Sequence, residues 1–292
     1  MGVLMPNATQ NNLGSVVSLW RYPVKSMMGE ELNATEVTQR GLLGDRAYAL
    51  VDSSNEKVAS AKNPRKWAKL FDFRAALADP LHTGEKIPPV NVALPDGTIV
   101  TSEQTDTNQM LSNVLGREVT LETREPGQPE IVETTLPNPW TPSLEEYWPD
   151  MEDLAHRDTI TNEAMPEGTF FDLAVIHILT TATIDRLREL YPQGRFEVRR
   201  FRPNIVVEPS SGEEGFVEDD WIGKTLVIGD EVRIDITEPC PRCVMTTLPQ
   251  GDLPKDPGIL RTAAQHNQVN VGVYGAVQRG GTIRRGDPAK VE

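Results

Sequence analysis

Two thiols stand three positions apart in "EPCPRCVMTT", residues 238–247, and Cys240 and Cys243 are the two cysteines of the chain. A pair at this spacing could be a redox disulfide, half of a zinc site, a ligand for another metal, or nothing beyond two packed small side chains. A structural zinc site needs about four ligands, and no second Cys-x-x-Cys exists. The histidines, His82, His156, His177 and His266, are scattered, none at helical ligand spacing from another, and each reads first as a surface or core residue. A thioredoxin-type pair needs a helix N-terminus to lower the first thiol pKa. Here strand-like "EVRIDI" leads in, and "VMTTLPQGD" follows with β-branched residues, a proline and a glycine where a helix would start. What remains is a single soft ligand for a metal that arrives with a cofactor.

Nucleotide loops are also missing from the pattern. "GFVEDDWIGKT" (215–225) puts seven residues between its glycines instead of the four of a phosphate-binding loop, and no Gly-x-Gly-x-x-Gly follows a strand. Composition narrows the class further. Lys plus Arg number 29 against 43 Asp plus Glu, a formal net charge of −14 over 292 residues. That balance argues against general nucleic-acid binding, though it leaves room for a local basic pocket for a small anion. No secretory pattern opens the sequence and no window approaches a membrane span, so the expectation is a cytoplasmic protein with reduced thiols, without nucleic acid or membrane as partner.

The elements that must position the thiols read as mainly β with some α. "SVVSLWRYPVKS" (15–26) is a strand running into a proline-containing loop, and "RAYALVD" (46–52) alternates before "SSNE", with "KVAS" returning as a hairpin. "VNVALPDGTIV" (90–100) is a hairpin about Asp96-Gly97, and "TDTNQMLSNVLG" (105–116) is a short helix stopped by Gly116. "LTTATIDRLRELYPQG" (179–194) has helical spacing at Ile184, Leu187, Leu190 and Tyr191, with Thr180 or Thr181 as N-cap. "RFEVRRFRPNIVVE", "KTLVIGDEVRIDITEP" and "GTIRRGDPAKV" read as β-rich. Between the halves, residues 125–168 are rich in proline and acid, with Trp140, Tyr147 and Trp148 as anchors of a covering connection.

Four stretches, "RYPVKS" (21–26), "GLLGDRAYALVD" (41–52), "RRFRPNIVVE" (199–208) and "CPRCVMTTLP" (240–249), stand in an order and at separations that resemble the MOSC family. This family is similar to the C-terminal domain of molybdenum cofactor sulfurase and includes the amidoxime-reducing component proteins. The resemblance implies an N-terminal MOSC-associated β-rich (α+β) domain over 14–125, a connection over 126–154 and a MOSC-type β-barrel domain over 155–292. It implies the molybdenum cofactor, Mo-molybdopterin, with Cys243 as the thiolate on the metal and Cys240 as a variable neighbour. Lys25, Ser26, Arg46, Arg202 and Asn204 match cofactor-contacting positions, and Thr180 and Thr181 match a hydroxyl position ahead of a helix. Each also has a plainer reading: Arg46 paired with Asp45, Arg199, Arg200 and Arg202 on a solvated β face, the threonines as caps, Lys25 as an exposed loop lysine.

The implied activity is reduction of small N-hydroxylated compounds. An iron–sulfur cluster needs about four cysteines and this sequence has two, so the electrons would come from an external donor, a ferredoxin-like or flavin reductase system. The alternative is a cofactor carrier or sulfur-transfer protein without turnover of its own.

Overall fold

Strands dominate the fold, and their order explains how distant segments meet. The computed structural model describes residues 14–55, 57–123, 144–145, 159–160, 169–210 and 212–292. In the first half these form β1 (Gly14–Arg21), β2 (Glu30–Leu32), β3 (Ala34–Thr38), β4 (Gly41–Leu42), β5 (Tyr48–Asp52), β6 (Lys57–Val58), α1 (Pro64–Trp67), β7 (Arg74–Leu77), β8 (Val90–Ala93), β9 (Ile99–Thr101), α2 (Thr107–Leu115) and β10 (Val119–Thr123). Two short strands, β11 (Leu144–Glu145) and β12 (Thr159–Ile160), pair with each other. The rest of the connection, including Trp140, Tyr147 and Trp148, lies outside the described residues. The second half contains β13 (Ile176–Thr180), α3 (Thr181–Leu190), α4 (Val198–Phe201), β14 (Ile205–Pro209), β15 (Thr225–Ile228), β16 (Val232–Pro241), α5 (Gly258–Asn267), β17 (Asn270–Arg279), β18 (Gly281–Arg284) and β19 (Pro288–Val291).

Seven strands close into a barrel in the order β14-β13-β17-β16-β15-β19-β1, with β1 returning to β14 and β2 added beside β1. β13 and β14 run parallel, which requires a crossover, and α3 and α4 lie in that connection. The barrel core is built from inward β-branched and leucine residues: Val16 and Leu19 from β1 join Ile176, Ile205, Leu226, Ile234 and Val273. In β16, Val232, Ile234 and Ile236 are buried and the residues between them half-buried, the alternation the sequence predicts. The first described strand, β1, therefore completes a barrel otherwise made from the second half. Small sheets carry the other half, and their core gathers Leu70, Phe73, Val90, Val92, Leu111 and Val119. A third cluster seats α3 and α5 through Ile184, Leu187, Phe196, Phe201 and Ile259.

Two local readings change. "RFEVRRF" is read as β-rich, but Val198–Phe201 is a helical turn, α4, and β14 begins only at Ile205. The cause is Arg200, which is fully buried. Its guanidinium donates to the carbonyls of Arg195 (2.8 Å), Thr246 (3.2 Å), Leu248 (3.3 Å) and Pro254 (2.9 Å), a set an extended strand could not serve. The sequence reading also leaves residues 258–267 unassigned, and they form α5, burying Ile259, Leu260 and Ala263. No helix among the described residues is long and apolar enough to cross a membrane.

Candidate functional site

A cavity between the halves gathers residues from widely separated parts of the chain. Lys25 and Ser26 come from the loop after β1, Arg46 from just before β5, Phe170–Asp172 from the approach to β13, Arg202 and Asn204 from the α4–β14 link, and Arg242 and Cys243 from the end of β16. The approach to β13 is pinned by Phe170, which is fully buried against Ala49 and Val58 and donates its backbone N–H to the Arg46 carbonyl at 2.9 Å. Burying such a ring contributes roughly 2–3 kcal/mol, enough to fix one or two residues of backbone.

Five basic side chains, Lys25, Arg46, Lys62, Arg202 and Arg242, line this cavity beside one carboxylate, Asp172. In a chain of net charge −14 that is a local inversion of sign. Lys25 is buried, not an exposed loop lysine. Its Nζ donates to the Phe170 carbonyl at 2.8 Å and to the Asp172 carboxylate, and Lys62 Nζ lies 3.6 Å from the other Asp172 oxygen. Burial pulls the Lys25 pKa down, with Asp172 opposing. For Asp172 burial pushes upward, but Lys25 and Lys62 outweigh it and hold the carboxyl well below its usual range.

Arg46 does pair with Asp45, as the plainer reading has it, and it also stands over two rings, 4.5 Å from the centre of Tyr22 and 5.5 Å from that of Phe171. Arg202 donates Nη1 to the Met27 carbonyl at 2.5 Å and lies 4.2 Å from the same Tyr22 ring. Burial, then the nearby Arg46 charge, lowers the Arg202 pKa to about 9. Ser26, Arg46 and Arg202 have φ of 63°, 49° and 54°. Left-handed backbone at such residues costs roughly 1–3 kcal/mol each and concentrates where a site needs it. Among the described residues five non-glycine residues have positive φ, so three of them fall on this one wall. Asn204 lines the cavity with its amide already engaged. Its Oδ1 accepts from His177 N–H at 3.1 Å, and its Nδ2 donates to Asp45 at 2.8 Å and to the Trp20 carbonyl at 3.3 Å. It ties three walls together.

The thiol end is apolar on one side and cationic on the other. No disulfide joins Cys240 and Cys243. Cys243 lines the cavity at the start of a single 3₁₀ turn, Val244–Thr247, where the sequence predicts no α-helix, and packs with Met28, Ala61 and Phe71 of the other half. Cys240 is fully buried, and Arg242 Nη1 donates to its sulfur. Burial raises the Cys240 pKa against the pull of Arg242. Arg242 keeps its charge although burial opposes it, because Cys240, Tyr274 and Cys243 favour a cation there.

Thr180 and Thr181 are not among the lining residues. Thr180 caps α3, its Oγ1 accepting from Thr183 N–H at 3.1 Å while donating to the buried carboxyl of Glu218 at 2.6 Å. Sequence reasoning missed Lys62, Asp172, Arg242, Tyr274 and His177, all of which line the cavity. His177 sits on β13 with Nε2 3.0 Å from the Val271 carbonyl, so that nitrogen carries the proton. Burial, and then Arg242, keep its pKa well below the ordinary value, so the ring is neutral. The approach of β17 to this ring requires Gly272, whose φ is +81° and where a Cβ would stand 2.4 Å from His177 Nε2. Arg242 alone carried a signal, a charge set between two cysteines at the end of an apolar strand.

The donor set suits an anionic group with a soft metal. Cationic side chains are in excess, a thiol forms part of the wall, and the Arg242 Nε is buried without a hydrogen-bond partner among the described residues. Residues 167–290 match the family model of the MOSC domain, and residues 13–123 match that of the MOSC N-terminal beta barrel domain. The chain is 25% identical over 304 residues to mitochondrial amidoxime reducing component 2 of Rattus norvegicus, covering 94% of this chain and 82% of that protein. It is 24% identical over 299 residues to mitochondrial amidoxime-reducing component 1 of Homo sapiens, with 94% and 82% covered. Among solved structures it is similar to the YUAD protein from Bacillus subtilis, at 11% identity and a TM-score of 0.42 over 95% of this chain and 94% of that one.

Proposed function

We propose that this chain, which belongs to the MOSC family through both of its matched domains, binds the molybdenum cofactor in the cavity and reduces small N-hydroxylated compounds. The observation that carries this reading is the meeting of five basic groups and Cys243 on one cavity of an otherwise acidic chain. Cys243 would give the metal its thiolate, with loss of the thiol proton, and Arg46 and Arg202 would face the phosphate with planar donor pairs. When bound, the cofactor supplies the two-electron redox chemistry needed to remove oxygen from an N–O bond. The chain's own part is to bind, orient and desolvate. Lys25 is a wall group whose proton the surroundings loosen, since burial lowers its pKa. Asp172, held ionised beside it, orients the amine.

Electrons come from a separate donor, since these 292 residues hold two cysteines and no dinucleotide loop. The test is expression in a host that makes the cofactor, followed by metal and pterin analysis and by turnover of a hydroxylamine with reduced viologen. Bound molybdenum with viologen-driven turnover, and no turnover with NADH alone, is the expected result. Bound cofactor without turnover would instead make the chain a carrier, and absence of cofactor would reject the reading.

A further inference from the structure

We infer that Tyr22 is a positioning residue, whose ring holds the Arg46 and Arg202 guanidiniums together as one anion-binding pair. The inference rests on the reading of the cavity as a phosphate-binding site and concerns a residue behind its wall. Both guanidinium carbons stand over this ring, at 4.5 Å for Arg46 and 4.2 Å for Arg202. The second ring beside each is farther, Phe171 at 5.5 Å and Phe71 at 5.7 Å. Two like charges beside one ring repel, and the Arg202 pKa is depressed first by burial and then by the Arg46 charge. The negative face of an aromatic ring attracts a guanidinium without occupying its N–H groups, so it can hold two of them and leave for an incoming anion the donors beyond those that Arg46 gives to Asp45 and Arg202 gives to Met27.

The backbone is built around the same residue. Arg46 N–H donates to the Tyr22 carbonyl at 2.9 Å, and Tyr22 N–H donates to Asp45 Oδ1 at 2.6 Å. The ring is buried, at 1% exposure, and its neighbour Gly29 leaves space for it: a Cβ there would stand 2.5 Å from Tyr22 Cδ1. The hydroxyl has no hydrogen-bond partner among the described residues. A tyrosine kept for its hydroxyl would normally find a partner when buried, so the ring face is the working part.

The experiment measures binding of inorganic pyrophosphate to the full cofactor-free chain by calorimetry. Tyr22→Phe should bind within about twofold of the unaltered chain, because it keeps the ring. Phenylalanines with one, three and five ring fluorines at position 22 keep the shape and progressively weaken the ring's negative face, so affinity should fall stepwise, about tenfold by the last. Because the series keeps the ring's shape, the test does not depend on Tyr22→Leu, which removes the ring and puts folding at risk. A flat fluorine series, or a loss in Tyr22→Phe as large as that of the pentafluoro form, overturns the inference. Failure of the underlying reading looks different: pyrophosphate would not bind the unaltered chain, or Arg202→Lys would leave its binding unchanged, and the inference falls with it.

Discussion

The cavity wall and the start of α3 both bury charges, hydroxyls and backbone amides, but they are finished in opposite ways. At α3 the Thr180 and Thr183 hydroxyls and backbone N–H groups all meet acceptors of the protein. Thr180 and Thr183 donate to the same Glu218 oxygen at 2.6 and 2.7 Å, and Thr180 in turn accepts from Thr183 N–H at 3.1 Å. At the cavity, five cations surround one lining carboxylate, the buried Arg242 Nε lacks a partner among the described residues, and three residues hold left-handed backbone. A polar cluster that closes on itself positions an element. One with surplus charge and local strain is arranged for a group that comes from outside.

Substitutions on the two sides should therefore behave differently. The largest effect is expected from Cys243→Ala, which should bring viologen-driven hydroxylamine reduction to background, while Cys240→Ala keeps most of it. Equal loss from both would point to a two-thiol mechanism and erase the distinction between the thiol on the wall and the thiol behind it. Next, Arg202→Lys keeps the charge but loses the planar fork, and its pyrophosphate affinity should fall by about tenfold in the calorimeter. Glu218→Gln should leave that affinity alone and act on stability. Burial raises the Glu218 pKa above its ordinary value of 4.5, so the folded chain holds this proton where the unfolded chain has released it. Its contribution is complete below about pH 4.5 and is lost as pH rises through the folded pKa. Thermal melts between pH 4 and 8 should show a shallower decline for Glu218→Gln, with a difference of a few degrees. The smallest effect is expected from Thr181→Ala, which should change neither pyrophosphate binding nor metal content. A loss of either would return α3 to the site.

How far the sequence foretold this contrast depends on the range of the interactions. Hairpins were legible because their determinants are local: β8 and β9 turn at Asp96-Gly97, and β15 and β16 at Gly229-Asp230. The helix caps at Thr180 and Gly116 were legible for the same reason. α5 carried its pattern in plain view, Ile259, Leu260 and Ala263 on one side, and went unread. α4 could not be read locally, since its shape answers to carbonyls about 46 to 54 positions away, at Thr246, Leu248 and Pro254. At the site, motif order pointed to Lys25, Ser26, Arg46, Arg202, Asn204 and Cys243, and the fold brings all of them to one cavity. Asp172 and Lys62 were invisible, because nothing near either residue says that Asp172 forms salt bridges with Lys25 and Lys62 across more than a hundred positions. Thr180 was legible as a cap, whereas its second bond, to Glu218 38 positions away, had no local signal.

The central claim is that the cationic wall retains a molybdenum-bearing anion. The most direct measurement is the molybdenum-to-protein ratio of the unaltered chain and of Arg46→Ala and Arg202→Lys, all purified in parallel from one cofactor-competent host. Melting curves should confirm that each is folded. The account predicts near-stoichiometric metal in the unaltered chain and a several-fold lower ratio in both variants at similar melting temperature. Full occupancy in both variants, or none in the unaltered chain, would contradict it.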